Sequence, residues 1–274
     1  MTYKIGVNAE AYGGCSVTDA LPYIKSAGFD AFFTEWKPDS PVEAWAQEGA
    51  KKGLIYQSIH APFGKMREVW NGTELGLAAI NDLKACVDDC SRFDVPLMII
   101  HPFIGFKDHT PTEIGLKLYG EVIEHAEKKG ILLGFENVEG EEYLAAIMER
   151  YSSSPVVKFC WDTGHEQCYN LGKDMMALYG DRLAGTHFDD NMGCTDPTNI
   201  YWTDDLHLLP FDGIVDWRGV MDRIRAHGYT GILTFELTTR GKPGHEHYHE
   251  GYAKMSCEEF YFEAAKRARR VAQL

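Results

Sequence analysis

Long apolar runs are missing from this 274-residue chain. None approaches the roughly 18 residues that a membrane-spanning helix needs, so no membrane partner is expected. The opening MTYKIGVNAEAYGG enters a strand pattern directly, without a basic region and apolar signal stretch, and the expected location is the cytoplasm. Cysteine is sparse and unpatterned: seven residues, at 15, 86, 90, 160, 168, 194 and 257, with no CxxC pair. That excludes a disulfide framework and a cysteine zinc site, and predicts reduced, mostly buried thiols. Positive charge is short as well, 27 Lys and Arg against 41 Asp and Glu, for a net charge of −14. A phosphate backbone calls for a basic stripe, and none is present, so nucleic acid is not an expected partner. The most basic stretch, KRARR at 266–270, reads as the polar face of a last helix. Finally, the first strand is followed by NAEAYGG, with no GxGxxG phosphate loop to support a doubly wound sheet.

What is present is alternation. Short apolar runs occur at 3–9, 31–36, 53–60, 96–101, 131–136, 156–162, 183–188 and 231–236. Between them lie segments such as VTDALPYIKSAG and PTEIGLKLYGEVIEHAEKKG, apolar at three- and four-residue spacings with Gly or Pro near their ends. Eight strand-helix units without a linker predict a single (β/α)₈ TIM barrel occupying residues 1–274 as one domain, with a homo-oligomer left open.

In such a barrel the last residues of each strand meet at one mouth. Six successive runs end in a metal-ligating residue: His60, His101, Glu136, Asp162, His187 and Glu236. Convergent carboxylates without a cation would repel and desolvate one another. A divalent metal resolves this. The set Glu136, Asp162, His187 and Glu236 is carboxylate-rich with one imidazole, which suits Mn²⁺, Mg²⁺ or Co²⁺ and admits Zn²⁺. His165, three residues beyond Asp162 in CWDTGH, would face the same mouth. A long loop from Asp189 to Trp217 carries Asp205 and His207 as an Asp-x-His pair. The tract HEHYHE at 245–250 reads as a solvated loop.

The residues HAP, HP, FEN, DTGH, HFDD, DxHLLPxxG and FEL, spread over 60–236, resemble the xylose isomerase-like TIM barrels, in particular the sugar phosphate isomerase/epimerase family. The resemblance implies that Glu136, Asp162, His187 and Glu236 hold one divalent metal, that Glu136 and Glu236 form the catalytic acid/base pair, and that His165 contacts substrate oxygens. One departure stands out: ketose 3-epimerases carry an arginine six residues after the strand-seven histidine, where this chain has Gly193. The related endonuclease-four type apurinic endonucleases have nine zinc-ligand positions, matched in order by His60, His101, Glu136, Asp162, His165, His187, Asp205, His207 and Glu236. Their context motifs are absent, since VEGEE follows FEN and no Ser-Lys follows HFDDN.

The expected reaction is proton transfer beside the carbonyl of a small carbohydrate through an enediolate, giving epimerisation or isomerisation. Dehydration on the same centre and abasic-site incision are the alternatives. His60, His101, His165, Asp205 and His207 are expected to form a polar shell around substrate, because three clustered divalent ions would bring a charge of +6 against four carboxylates, Glu136, Asp162, Asp205 and Glu236. Trp36, with Phe211 and Trp202, is expected to wall the sugar, and Arg240 stands close by in sequence.

Overall fold

The computed structural model describes residues 3–107 and 109–274. Eight strands, β1 Ile5–Asn8, β2 Ala31–Glu35, β3 Ile55–His60, β4 Leu97–Ile100, β5 Leu132–Glu136, β6 Val157–Asp162, β7 Leu183–His187 and β8 Leu233–Phe235, alternate with the helices. These are α1 Val17–Ala27, α2 Val42–Lys51, α3 Met66–Asn71, α4 Glu74–Arg92, α5 Glu113–Lys129, α6 Glu141–Arg150, α7 Thr163–Cys168, α8 Met175–Tyr179, α9 Trp217–Ala226 and α10 Cys257–Ala272. Among the described residues no helix is long and apolar enough to cross a membrane.

The helices start where the sequence supplies a side-chain cap. Ser16, Thr73, Thr112, Asp174, Asp216 and Ser256 each accept the backbone N–H three residues on. α1 and α5 stop at Gly28 and Gly130 in the left-handed conformation.

The strands pair in parallel in the order β7-β6-β5-β4-β3-β2-β1-β8, the TIM-barrel arrangement. Closure between β8 and β7 is thinner. Phe188 donates its N–H to Thr234 O at 2.9 Å, Glu236 returns one to Phe188 O at 3.1 Å, and the Thr186 hydroxyl accepts the Thr234 N–H at 2.8 Å.

A strand alternates its side chains between two faces. Leu133, Phe135, Phe159, Trp161, Leu233 and Phe235 pack outward in the main apolar cluster beneath the helices. Leu97, Ile99 and Cys160 form a separate small cluster. They share strand parity with His101 and Asp162, so this plug lies inside the barrel, below the site. Gly185 keeps it compact: a Cβ there would stand 2.9 Å from Leu97 Cδ2.

Two expected strand-end ligands, His101 and Glu236, fall one residue beyond their strands. The inward direction is preserved because the backbone continues before it turns; Glu236 still donates to Phe188 O. All seven cysteines are free thiols, four of them buried.

Candidate metal centre at the barrel mouth

The even-odd parity of the strands brings the expected ligands together. Glu136 lies at the middle, fully buried. Its Oε2 is 3.3 Å from His187 Nδ1, 3.4 Å from His101 Nε2 and 3.6 Å from His60 Nε2, and its Oε1 is 3.3 Å from His165 Nδ1. Glu236 Oε2 lies 3.1 Å from His187 Nδ1. Asp162 uses Oδ1 to cap α7, accepting the His165 N–H at 2.6 Å. Asn137, the last residue of FEN, pins Asp162 by accepting its N–H and donating to its carbonyl, both at 2.8 Å.

Whether these residues fit a metal can be tested on their unpaired atoms. Both oxygens of Glu136, both ring nitrogens of His187 and Oδ2 of Asp162 are buried without a hydrogen bond. Buried polar atoms left unpaired cost about 1–3 kcal/mol each. Ligand atoms of Glu136, Asp162, His187 and Glu236 lie within 4.8 Å of one another, a spacing at which they converge on a common point. A divalent cation satisfies this set. Further groups share this property, among them the triads His60, His101 and Glu136, and His165, Asp205 and His207.

Electrostatics lead to the same conclusion. Burial opposes ionisation of Glu136, yet His187, His101 and His165 hold its carboxyl well below the usual carboxylate range. Burial likewise opposes charge on Glu236, and His187 and His207 bring it down to about 2. Burial disfavours a charged His187, but Glu236 and Glu136 push it well above the ordinary imidazole value. Asp162 goes the other way, raised by burial and by Asp189 and Glu136. Protonated imidazoles thus stand in for cationic charge that the carboxylates require.

The long loop is ordered by Asp190. Its carboxylate accepts the Phe211 N–H at 2.7 Å, the Trp217 indole N–H at 2.9 Å and the Val215 N–H at 3.0 Å. This holds Asp205 and His207 over the mouth. His207 Nε2 lies 2.9 Å from Asp205 Oδ2, and its Nδ1 lies 3.2 Å from Asp189 Oδ2. Lys242 reaches Asp205 at 3.3 Å.

Above the cluster opens a cavity of about 800 Å³ lined by His60, His101, His165, Asp205, His207 and Glu236, together with Phe63, Phe106, Tyr169, Trp202 and Arg240. Trp36 does not line it. The expected sugar wall is buried in the apolar core, its indole donating to Asp89 Oδ2 at 2.8 Å, because α4 presents a carboxylate there. Phe211 is also elsewhere, packed under the Arg270 guanidinium at 3.9 Å. The HEHYHE tract is more than a solvated loop: His249 is buried, with Nε2 at 2.9 Å from Leu206 O.

Several cavity or support residues escaped sequence reading, four of them acidic. Glu10 and Glu35 line the mouth from β1 and β2, completing a ring of inward positions. The parity rule applied to the first two strands, counted two residues past Asn8, would have found them. Glu10 Oε2 is unpaired, and burial, with Glu35 nearby, pushes its carboxyl up to about 8. Asp189 lies in the HFDD stretch without a role being read for it, and Glu139 gives no sequence signal.

A family profile described as xylose isomerase-like TIM barrel matches residues 21–256. The uncharacterized protein y4fM of Sinorhizobium fredii is 26% identical over 264 residues, covering 80% of this chain and 80% of the relative. Similar solved structures include D-psicose 3-epimerase with D-tagatose from Clostridium cellulolyticum H10, at 15% identity, 97% and 98% coverage and a TM-score of 0.72. Another is 3-keto-D-glucoside 4-epimerase from E. coli, at 16% identity, 92% and 98% coverage and a TM-score of 0.64.

Proposed function

Because the chain belongs to the xylose isomerase-like TIM barrel family, we propose that it is a divalent-metal-dependent sugar isomerase or epimerase. The observation that carries this reading is the convergence of Glu136, Asp162, His187 and Glu236, with buried unpaired atoms, at the floor of a polar cavity. The similar structures, epimerases of a ketose and of a keto-glucoside, agree with it.

A divalent ion held by those four residues would polarise a carbonyl and a neighbouring hydroxyl and acidify the C–H between them. Glu236 lines the cavity and Glu136 does not, so Glu236 is the group that meets the substrate carbon first. His187 and His207 favour its ionised form, the form a base requires. Glu136, one strand-end group deeper in the imidazole cluster, completes the acid/base pair. His60, His101, His165, Asp205 and His207 line the same cavity and orient hydroxyls, since imidazole and carboxylate together donate and accept. Return of the proton to the opposite face gives an epimer, and return to the adjacent carbon gives an aldose-ketose pair. Loss of a β-hydroxyl would give a dehydratase.

Gly193 stands at φ 82, a left-handed conformation that side chains rarely adopt. The arginine of ketose 3-epimerases therefore has no ready place here, which favours a substrate other than a free ketose turned over at its third carbon.

The triads His60, His101 and Glu136, and His165, Asp205 and His207, favour a second reading, a polynuclear centre acting on phosphate esters. The net charge of −14 weighs against a nucleic-acid substrate. The deciding experiment incubates metal-loaded protein with ketoses and inososes in D₂O. Deuterium uptake into a substrate carbon is expected, and Glu236→Gln should slow it by about 10²–10⁴-fold. Absence of exchange throughout the panel, with abasic-DNA incision dependent on His60 and His101, would replace the first reading by the second.

A further inference from the structure

Beside the mouth lies a second cavity of about 520 Å³. It is built by the loop after β4, the loop after β5, the end of α7 and residues 197–200 of the long loop, all on the same face of the barrel. The two cavities share Phe106, Glu139 and Tyr169. The mouth alone, at about 800 Å³, already sits in the upper part of the roughly 300–1,000 Å³ that buries a drug-sized ligand. A single sugar ring leaves the annex untouched.

The boundary between the cavities is aromatic. Tyr169 stacks on His165 at 4.8 Å, and Phe106 meets Tyr169 at 5.6 Å and Tyr201 at 5.8 Å. Tyr201 and Trp202 are exposed, at 51% and 41%. Exposed aromatics grouped beside a polar cavity mark a binding surface, because the sugar C–H faces of a ligand would cover them. The annex itself is polar and close to neutral: Lys173 pairs with Glu141 at 2.6 Å and His109 with Glu142 at 3.0 Å. With Glu139 as a third lining carboxylate against Lys107, Lys173 and His109, the annex has no excess of cations to grip a phosphate. Neutral hydroxyls suit the place better.

We propose that the substrate is a two-ring sugar, with the ring that carries a carbonyl, free or released by ring opening, over the metal ligands and its second ring in the annex against Phe106 and Tyr169. The assignment of the reacting ring rests on the sugar isomerase or epimerase reading, and the annex assignment has its own test. Calorimetry on metal-loaded protein compares glucose, methyl β-glucoside and cellobiose. Cellobiose should bind about tenfold tighter than either single-ring ligand, the effect of one well-formed aromatic contact. Thr198→Trp, which fills the annex from its exposed rim, should erase that preference while a thermal melt confirms folding. Equal affinity for all three ligands, no measurable binding of any, or a preference that survives Thr198→Trp would overturn the proposal. Failure of deuterium exchange with retained cellobiose preference would instead remove the isomerase reading and leave the annex in place.

Discussion

Gly164, in the CWDTGH stretch, shows how tightly single residues are fixed around the site. A Cβ built there would lie 2.2 Å from Asp189 Oδ1 and 2.6 Å from its Oδ2. Asp189 cannot retreat easily, because Thr163 holds its backbone in both directions and its carboxylate faces His207. Gly164→Ala should therefore lower unfolding free energy by about 2 kcal/mol and reduce metal content. Urea denaturation with elemental analysis measures both, and a variant of unchanged midpoint and metal content would refute the placement of Asp189. The same residues show what a sequence discloses. His60, His101, Glu136, Asp162, His187 and Glu236 were legible because each ends a buried run, and parity leaves an inward polar residue only one place to go. Trp36 misled for the same reason in reverse: it follows the last residue of β2, so its parity turns it outward toward α4 and Asp89. Glu139 was illegible, since a lone carboxylate in a loop carries no period, and the role of Asp189 within HFDD was not readable.

At the scale of elements, caps at the helix starts could be read directly, and α10 has the most complete one. Ser256 accepts the Glu259 N–H while the Glu259 carboxylate accepts the Ser256 N–H at 2.7 Å. α10 packs against α1 on the outside of the barrel, and none of the candidate metal ligands lies on it. Ser256→Ala should then cost about 1 kcal/mol, seen as a thermal midpoint lower by about 2–4 °C. Metal content should not move. A drop in bound metal would mean that the helix layer and the site are coupled more closely than the packing indicates. The long loop between β7 and α9 had a legible length but no legible shape. Its form depends on Asp190 reaching Phe211, Val215 and Trp217, contacts made 21 to 27 residues along the chain.

For the molecule as a whole, the site is a concentration of like charge beneath an already acidic surface, and its cation should be part of the stability. One tightly held divalent ion per chain is expected after dialysis, with the histidines of the shell free for substrate. Removing it with EDTA should lower the thermal midpoint by several degrees, since a ligand at about 100 times its dissociation constant contributes about 2.7 kcal/mol. Three retained ions per chain would contradict the single-ion reading and support the polynuclear one. An unchanged midpoint would show that the imidazoles alone balance the carboxylates. The thin closure between β7 and β8 would give a bound ion a mechanical role too. His187 ends one of these strands and Glu236 follows the other, their side chains 3.1 Å apart across the seam. An ion gripping both works as a rivet in a hoop whose ends overlap by only a few bonds. The circumference of the barrel, and with it the spacing of every residue around the rim, would then be set at the proposed point of catalysis.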